Sequence, residues 1–173
     1  MKTKSLAAKA AAISAVAVLA ACGTSEGDKN VGSTGTSREA MVTLRGVNAQ
    51  DVRSALLTLS NVEVSADGRA LDTRVDGRTV DLAEGEMVAT RFAVPQGAAT
   101  VHVVLTFDDY GGYELTNGTA GEVDARGTRV LLDLPAETLA SSGKAQVSLD
   151  LSRSLLESGQ ARQMLAPHFG LAY

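Results

Sequence analysis

The strongest structural constraint in this sequence is an alternation of apolar and polar residues with a period of two. In the stretch VHVVLTF every odd position is apolar, which places Val101, Val103, Leu105 and Phe107 on one side of an extended chain. This is the pattern of a β-strand with one buried face. The same alternation recurs in the segments 57–64, 88–94, 130–134 and 145–151. The sequence therefore predicts a domain built mainly of strands.

Two places in this pattern predict local details. The alternation changes phase at Ser60-Asn61, which indicates either a bulge within one long strand or a break between two strands. Pro95-Gln96-Gly97 separates the segments 88–94 and 101–107, and this spacing predicts a hairpin. Pairs of turn-forming residues separate the other strands: Asp67-Gly68, Asp76-Gly77, Gly111-Gly112, Asn117-Gly118 and Arg126-Gly127.

Helical signals are weak by comparison. Residues 135–140 can begin a helix of one or two turns, with Pro135 at its first position and its end at Gly143, and residues 152–159 can hold one further turn. Seven to nine short strands with regular turns predict an all-β fold, namely an antiparallel β-sandwich. A small barrel is the alternative.

The first 22 residues have the organisation of an export signal. Three lysines in the first nine residues precede an apolar run that is too short to span a bilayer, and the run ends in Leu19-Ala20-Ala21-Cys22. This segment resembles a bacterial lipoprotein signal peptide, in which the cysteine receives a diacylglycerol, the chain is cut before it and the new amino terminus is acylated, for example with palmitate. The resemblance implies that residues 1–21 are removed and that Cys22, the only cysteine of the chain, anchors the protein to a membrane.

The segment that follows Cys22 is polar. Residues 23–39 contain glycine, serine, threonine and charged residues but a single valine, so they bury too little apolar surface to fold. We expect residues 22–40 to be the lipidated cysteine and a flexible tether, with a root-mean-square span of about 20 Å. Residues 41–173 then form one β-sandwich domain, because their number suits a single core.

Composition excludes several classes of function. The formal net charge is −4, and no run of Lys or Arg is interleaved with aromatic residues, which argues against a nucleic-acid partner. There is no Trp, and there are only three Tyr and three Phe, so the core must be built mainly from Val, Leu and Ala. Neither a Gly-x-Ser-x-Gly nor a phosphate-loop pattern occurs, and the sequence indicates no cofactor.

Several stretches of the domain carry a family resemblance. They are 49–52 with 57–64, the turn 94–97 before a strand that ends near 108–109, and 147–155 with 165–167. On these residues the chain resembles, over about 43–173, a family of bacterial cell-envelope lipoprotein domains of unknown function. The resemblance implies a transthyretin-like or immunoglobulin-like β-sandwich and supplies no catalytic residues. Gly46-Val47-Asn48 stands where that family has an acidic Asp-Ala-Pro turn.

The densest polar cluster in the sequence is the stretch FDDYGGYE. Asp108, Asp109 and Glu114 offer hard oxygen ligands of the kind that Ca²⁺ prefers, although the alternating aspartates of a calcium loop are missing. Tyr110 and Tyr113 have flat, amphipathic side chains that can line a saccharide or peptide groove. Because loops on a rigid sheet carry most recognition, we expect any ligand or calcium site at the loop end with these residues. The alternative is a solvated connection between two strands.

No catalytic or metal centre is evident elsewhere. His102 and His168 are the only histidines, and neither has cysteine, histidine or carboxylate neighbours at metal-ligand spacing. An enzyme would have to combine His102 with Asp108, Asp109 and Glu114, and no known motif joins these four residues. The sequence therefore predicts no catalytic residues and no metal site.

One charged pair predicts a structural contact. Asp150 and Arg153 lie three residues apart, where the chain leaves its strand. A charge-assisted contact between them would fix this corner of the sheet. An exposed pair would contribute little.

Together these observations predict a non-enzymatic protein, a lipid-anchored β-sandwich with a binding or scaffolding role in the bacterial cell envelope. The domain would be extracytoplasmic, attached to the membrane through its lipid, with an envelope protein or a glycan as its partner. Gly23 after Cys22, in the absence of Asp there, favours the outer membrane if the cell has one. One alternative is a carbohydrate- or peptide-binding surface module, and a less favoured one is a hydrolase that uses the carboxylates of the 108–114 loop.

Overall fold

The computed structural model describes residues 37–75, 79–159 and 161–173. The expected signal peptide, Cys22 and most of the expected tether lie outside these residues. The elements in chain order are β1 (Arg38–Val47), β2 (Val52–Ala66), β3 (Arg69–Ala70), β4 (Thr73–Arg74), β5 (Thr79–Asp81), β6 (Glu86–Val94), β7 (Thr100–Phe107), β8 (Tyr110–Leu115), β9 (Ala120–Asp124), β10 (Arg129–Pro135), α1 (Ala136–Ser142), β11 (Lys144–Asp150), α2 (Leu151–Ser154), β12 (Leu155–Glu157), β13 (Arg162–Leu165) and β14 (Phe169–Ala172).

The strands form two sheets, which confirms the predicted all-β sandwich. One sheet has five strands in the order β14-β11-β1-β6-β4. The other has nine, in the order β10-β7-β2-β8-β9-β13-β12, with β3 and β5 also paired to β2. β1 begins three residues before the expected boundary at Met41. Neither helix of the described part is long and apolar enough to cross a membrane.

The core between the sheets is aliphatic, as the composition predicts. Its largest fully buried side chains are leucines and valines, and most of them occupy the apolar positions of the alternating segments. In β7, for example, Val101, Val103 and Leu105 are at most 1% exposed. The period of two therefore identified the buried face of this strand correctly.

The sheets are mixed, whereas the sequence predicted an antiparallel sandwich. β1 runs parallel to β11, with Leu44 opposite Val147, and β9 runs parallel to β13. After β10 the chain passes through α1 and enters the five-stranded sheet beside β1, in the same direction. Alternation reports which face of a strand is buried and carries no information on strand direction, so the parallel pairs were not predicted.

The hairpin predicted between the segments 88–94 and 101–107 is wrong. β6 pairs with β1 and β4 in the five-stranded sheet, whereas β7 pairs with β2 and β10 in the nine-stranded sheet. The turn at Pro95-Gln96-Gly97 therefore carries the chain from one sheet to the other. Both strands bury one face in the shared core, so their patterns resemble those of hairpin partners.

The phase change at Ser60-Asn61 is a bulge within one long strand. β2 has 15 residues, and its register shifts between Leu59 and Asn61. The part before the shift pairs with β5 and β8, apart from Leu59, which lies opposite Phe107 of β7. The part after it pairs with β3 and β7. The first of the two alternatives predicted from the sequence is thus confirmed.

β7 and β8 pair antiparallel with β2 one after the other, and the register shifts by two residues between them. Phe107 at the end of β7 lies opposite Leu59, and Gly112 in β8 lies opposite Leu56. Between them the backbone N–H of Asp108 donates to the carbonyl of Thr58 (2.8 Å). β9 and β10 line the outer edge of β8 and β7 in the same way. The sheet therefore contains three long segments side by side, which are β2, β7 with β8, and β9 with β10. Their regular pairing is interrupted at about the same position along the sheet, near residues 60, 108 and 126.

The helical signals are confirmed with small differences. α1 ends at Gly143, which has φ of 69° and donates its N–H to the Leu139 carbonyl, while Pro135 is the N-cap and not the first helical residue. At α2, Asp150 is the N-cap and accepts the backbone N–H of Arg153 (3.2 Å). Hydrogen bonds from Ser152, Asn48 and this N–H lower the pKa of Asp150. The contact predicted between Asp150 and Arg153 is thus made through the backbone amide.

Candidate functional site

The aspartates predicted to lie in a loop at one end of the sandwich lie instead at the interruption in the nine-stranded sheet. Asp108 and Asp109 alone connect β7 to β8. The carbonyl of Asp109 accepts the N–H of Ala125 (2.8 Å), so this link is hydrogen bonded to the neighbouring segment. Gly111 and Gly112, predicted to form a turn, are strand residues of β8. The side chains of both aspartates are exposed.

Tyr113 is a core residue, so it is unavailable to line a groove. Its exposure is 5%, and it lies opposite Ala55 on one side and Gly121 on the other. Tyr110, by contrast, is 47% exposed. The pair of tyrosines predicted to act together therefore lies on opposite faces of the sheet.

The remaining candidate residues are not gathered into one site. Asp108 is separated from both His102 and Glu114 by six residues, roughly 20 Å of extended chain in opposite directions. Glu114 pairs with Arg53 (2.7 Å), and His102 Nδ1 lies 2.6 Å from Asp133 Oδ1 on β10. No group of three or more His, Cys, Asp or Glu that could hold a metal ion occurs in the described residues. The predicted combination of carboxylates for calcium or hydrolysis is thus not assembled.

His168 makes backbone contacts at another corner of the fold. Its N–H donates to Ser154 Oγ (2.9 Å), and its carbonyl accepts the N–H of Asp150 (2.8 Å). These bonds join the segment before β14 to α2 and to the end of β11. This geometry supports a structural role for His168.

Tyr110 is held in place by a neighbouring charged pair. Arg126 lies over its ring, with the guanidinium carbon 5.6 Å from the ring centroid, which is within the range of a cation–π contact. Arg126 Nε and Nη2 donate to the two carboxylate oxygens of Asp124 at 2.9 and 2.5 Å. This hydrogen bonding lowers the pKa of Asp124 to about 2, so the pair stays charged at any ordinary pH. The ring is therefore exposed yet positioned.

A row of exposed side chains extends from Tyr110 across the outer side of the sheet. Residues opposite one another on paired strands share a face. Tyr110 lies opposite Asp124, Asp124 opposite Met164, and Met164 opposite Leu156. Met164 is 49% exposed and Leu156 is 42% exposed. Their neighbours Val123 and Leu165 are buried, which identifies the row as outward-facing.

A second row lies beside the first. Leu56, which is 46% exposed, is opposite Gly112, which is opposite Glu122, which is opposite Arg162. Glu122 and Arg162 form an ion pair at 2.7 Å. Because Gly112 has no side chain, a slot separates Leu56 from the ion pair. We call the surface formed by Tyr110, Leu56, Met164 and Leu156 the Tyr110 face.

A shallow, open depression of about 630 Å³ adjoins Tyr110 at the interruption in the sheet. Asp108 and Asp109 line it together with Arg129 and the hydroxyl-bearing Ser60 and Thr106. It presents both charges and hydroxyl groups, which suits a small polar ligand better than an apolar one.

The Tyr110 face has the chemistry of a binding surface. Aromatic residues, Met and Arg are enriched in protein interfaces, and large apolar side chains grouped on an outer sheet face commonly mark interaction sites. Comparisons with models of protein families, with curated proteins and with solved structures found no match. Membership of the lipoprotein domain family that the sequence resembles therefore stays a proposal.

Sequence reasoning included Tyr110 in the candidate site but missed its neighbours. Leu56, Met164 and Leu156 come from distant segments and meet only through strand pairing, for which the sequence carries no local signal. The burial of Tyr113, by contrast, could have been predicted from the sequence. Counting the alternation onward from the buried Phe107 places Tyr113 on the inner face and Tyr110 on the outer one.

Proposed function

We propose that the protein is a lipid-anchored lipoprotein of the bacterial cell envelope whose extracytoplasmic β-sandwich has a binding or scaffolding role. The export signal that ends at Cys22 supports the anchor, and Gly23 favours the outer membrane where the cell has one. The observation that carries the binding role is the Tyr110 face, on which a positioned aromatic ring lies beside exposed Met164 and Leu156. Its partner is an envelope protein, because three of its four residues have exposed aliphatic or thioether side chains.

A glycan is the second candidate, supported by a different observation. Asp108 and Asp109 line the depression beside the half-exposed ring of Tyr110. Carboxylates accept hydrogen bonds from sugar hydroxyls, and an aromatic ring packs against the apolar face of a sugar. An enzymatic role has less support, because Asp108, Glu114 and His102 are spread along the sheet.

The anchor has a direct test. We expect mass spectrometry of the mature protein to find residues 1–21 absent and acyl mass on Cys22. Replacing Cys22 by Ser removes the only thiol, so the variant should be released from membranes or remain unprocessed. A Cys22→Ser protein that is both mature and membrane-bound would contradict the lipid anchor.

The binding role is tested by capture from solubilised envelopes. We expect Tyr110→Ala combined with Met164→Ser to abolish capture of a protein partner, since loss of central interface anchors commonly costs 2 kcal/mol or more, about 30-fold in affinity. Leu131→Ala is the matched control, because Leu131 is 65% exposed on β10, outside the Tyr110 face. Its capture should equal that of the wild type.

A glycan array run in parallel separates the two candidates. The glycan is supported if the wild type binds glycans, the double variant Asp108→Asn with Asp109→Asn does not, and no protein partner is captured. If the double variant Tyr110→Ala with Met164→Ser captures as much partner as the wild type, the Tyr110 face is not the binding surface.

A further inference from the structure

The last strand of the five-stranded sheet has an uncovered edge. β14 pairs with β11 through four residues, with Phe169 opposite Leu149 and Ala172 opposite Gln146. It ends the strand order, and no strand of the described residues pairs with its other side. All four of its residues are exposed.

The backbone groups on that edge can be assigned from the register. The N–H of Asp150 donates to the carbonyl of His168 (2.8 Å), which fixes residues 168, 170 and 172 as those facing β11. In an antiparallel ladder, alternate residues point their N–H and C=O groups to opposite sides. Phe169 and Leu171 therefore direct these groups away from β11, toward the free edge.

The same residues carry apolar side chains on the core side of the sheet. Phe169 and Leu171 lie opposite Leu149 and Val147, both of which are fully buried. Yet Phe169 is 42% exposed and Leu171 is 38% exposed; Tyr173, which continues the alternation, is 48% exposed. These three residues form an apolar strip that extends the inner face beyond the core.

The other three strands that end the two strand orders are protected as natural edges usually are. β10 carries Arg129, Asp133 and Pro135, while β4 and β12 have two and three residues and end in Arg74 and Glu157. Charges, proline and short length all discourage edge pairing. Residues 167–173, by contrast, contain no Asp, Glu, Lys or Arg. β14 itself therefore has neither a charged residue nor a proline to oppose pairing, since Pro167 lies before the strand.

The strip is symmetric about its centre. From Phe169 through Leu171 to Tyr173 it reads aromatic, aliphatic, aromatic, with the small residues Gly170 and Ala172 between. In a twofold contact the strip of one copy meets the same strip of the other copy running in the opposite direction. A symmetric and uncharged strip is therefore complementary to itself. A charged edge would bring like charges together.

We propose that β14 pairs antiparallel with β14 of a second copy of this chain, about a twofold axis at Leu171. Leu171 lies opposite Leu171 of the second copy, and Phe169 lies opposite its Tyr173. The outward N–H and C=O groups of Leu171 bond to those of its counterpart. The two five-stranded sheets become one, and the two apolar strips lie side by side on the same face of it.

A single introduced cysteine tests the contact in the full chain. Residues that form a hydrogen-bonded antiparallel pair have Cα atoms about 5.5 Å apart, which is within disulfide range. We expect Leu171→Cys to give, under mild oxidation of intact cells, a disulfide-linked species of twice the chain mass. Leu131→Cys on the charged β10 edge is the exposed control, and the wild type controls for Cys22; neither should form this species.

A charge pair tests the register. In the Leu171→Cys background, Phe169→Lys with Tyr173→Lys brings lysines opposite each other and should reduce cross-linking at least tenfold. Phe169→Lys with Tyr173→Glu removes the same apolar side chains but pairs opposite charges, so it should retain cross-linking. Equal behaviour of the two variants, cross-linking of Leu131→Cys to the same extent, or a Leu171→Cys adduct with another protein would each overturn the proposal.

Discussion

Leu149→Asp is expected to unfold the domain. Leu149 is fully buried in β11, opposite Gly46 of β1 and Phe169 of β14. An ionised carboxylate at this position has no partner among the aliphatic side chains of the core. Burying it costs several kcal/mol, against a total stability of about 5–15 kcal/mol for a domain of this kind.

The control is Leu131→Asp, on the solvent side of β10, where Leu131 is 65% exposed. Its free energy of unfolding should stay within about 0.5 kcal/mol of the wild-type value. Urea titration followed by far-UV circular dichroism measures both variants. We expect a β-type spectrum and a cooperative transition for the wild type and the control, and no folded baseline for Leu149→Asp. A wild-type midpoint in Leu149→Asp would contradict the position of the core.

The buried faces of the strands could be predicted because they depend on local order in the sequence. Val101, Val103 and Leu105 occupy every second position of their segment, and only an extended chain brings all three to the same side. The bulge in β2 and the end of α1 at Gly143 could be predicted for the same reason. Each is signalled by the residues at that position.

Strand partners could not be predicted in this way. β6 and β7 are neighbours in sequence with matching patterns, yet they belong to different sheets. Their choice of partner depends on which long-range pairing buries more surface, and many pairings share the same periodicity. The parallel contact of β1 with β11 joins residues about 100 positions apart, as Leu44 with Val147, and its direction follows from the crossover through α1.

The candidate site shows both what the sequence could predict and what it could not. Tyr110 was predicted from composition, and the charged pair that positions it lies only 14 and 16 residues further along the chain. Arg126 was predicted to lie in a turn, and Gly127 with φ of 69° supports that turn. The sequence misjudged Gly111-Gly112, which was predicted to form a turn although it belongs to a strand paired on both sides.

Gly111→Ala is expected to destabilise the domain, whereas Gly112→Ala is not. Neither glycine has a positive φ, so both backbones accept alanine. A Cβ on Gly111 points inward, where it would overlap the carbonyl oxygen of Leu56 and approach Cδ2 of Leu57 to 2.7 Å. A Cβ on Gly112 points outward, and its nearest neighbour is the carbonyl oxygen of Gly121 at 4.0 Å.

The two variants add the same methyl group to consecutive residues of β8, so strand propensity cancels in the comparison. Overpacking at Gly111 should cost about 1–3 kcal/mol, because the obstructing carbonyl belongs to the paired strand β2 and cannot move without breaking the ladder. At Gly112, alanine should be neutral or stabilise by about 0.5–1 kcal/mol, because it restricts the unfolded chain. Urea unfolding of the wild type and both variants measures the difference. Equal free energies for the two variants would show that β2 and β8 do not approach each other as closely as the structure describes.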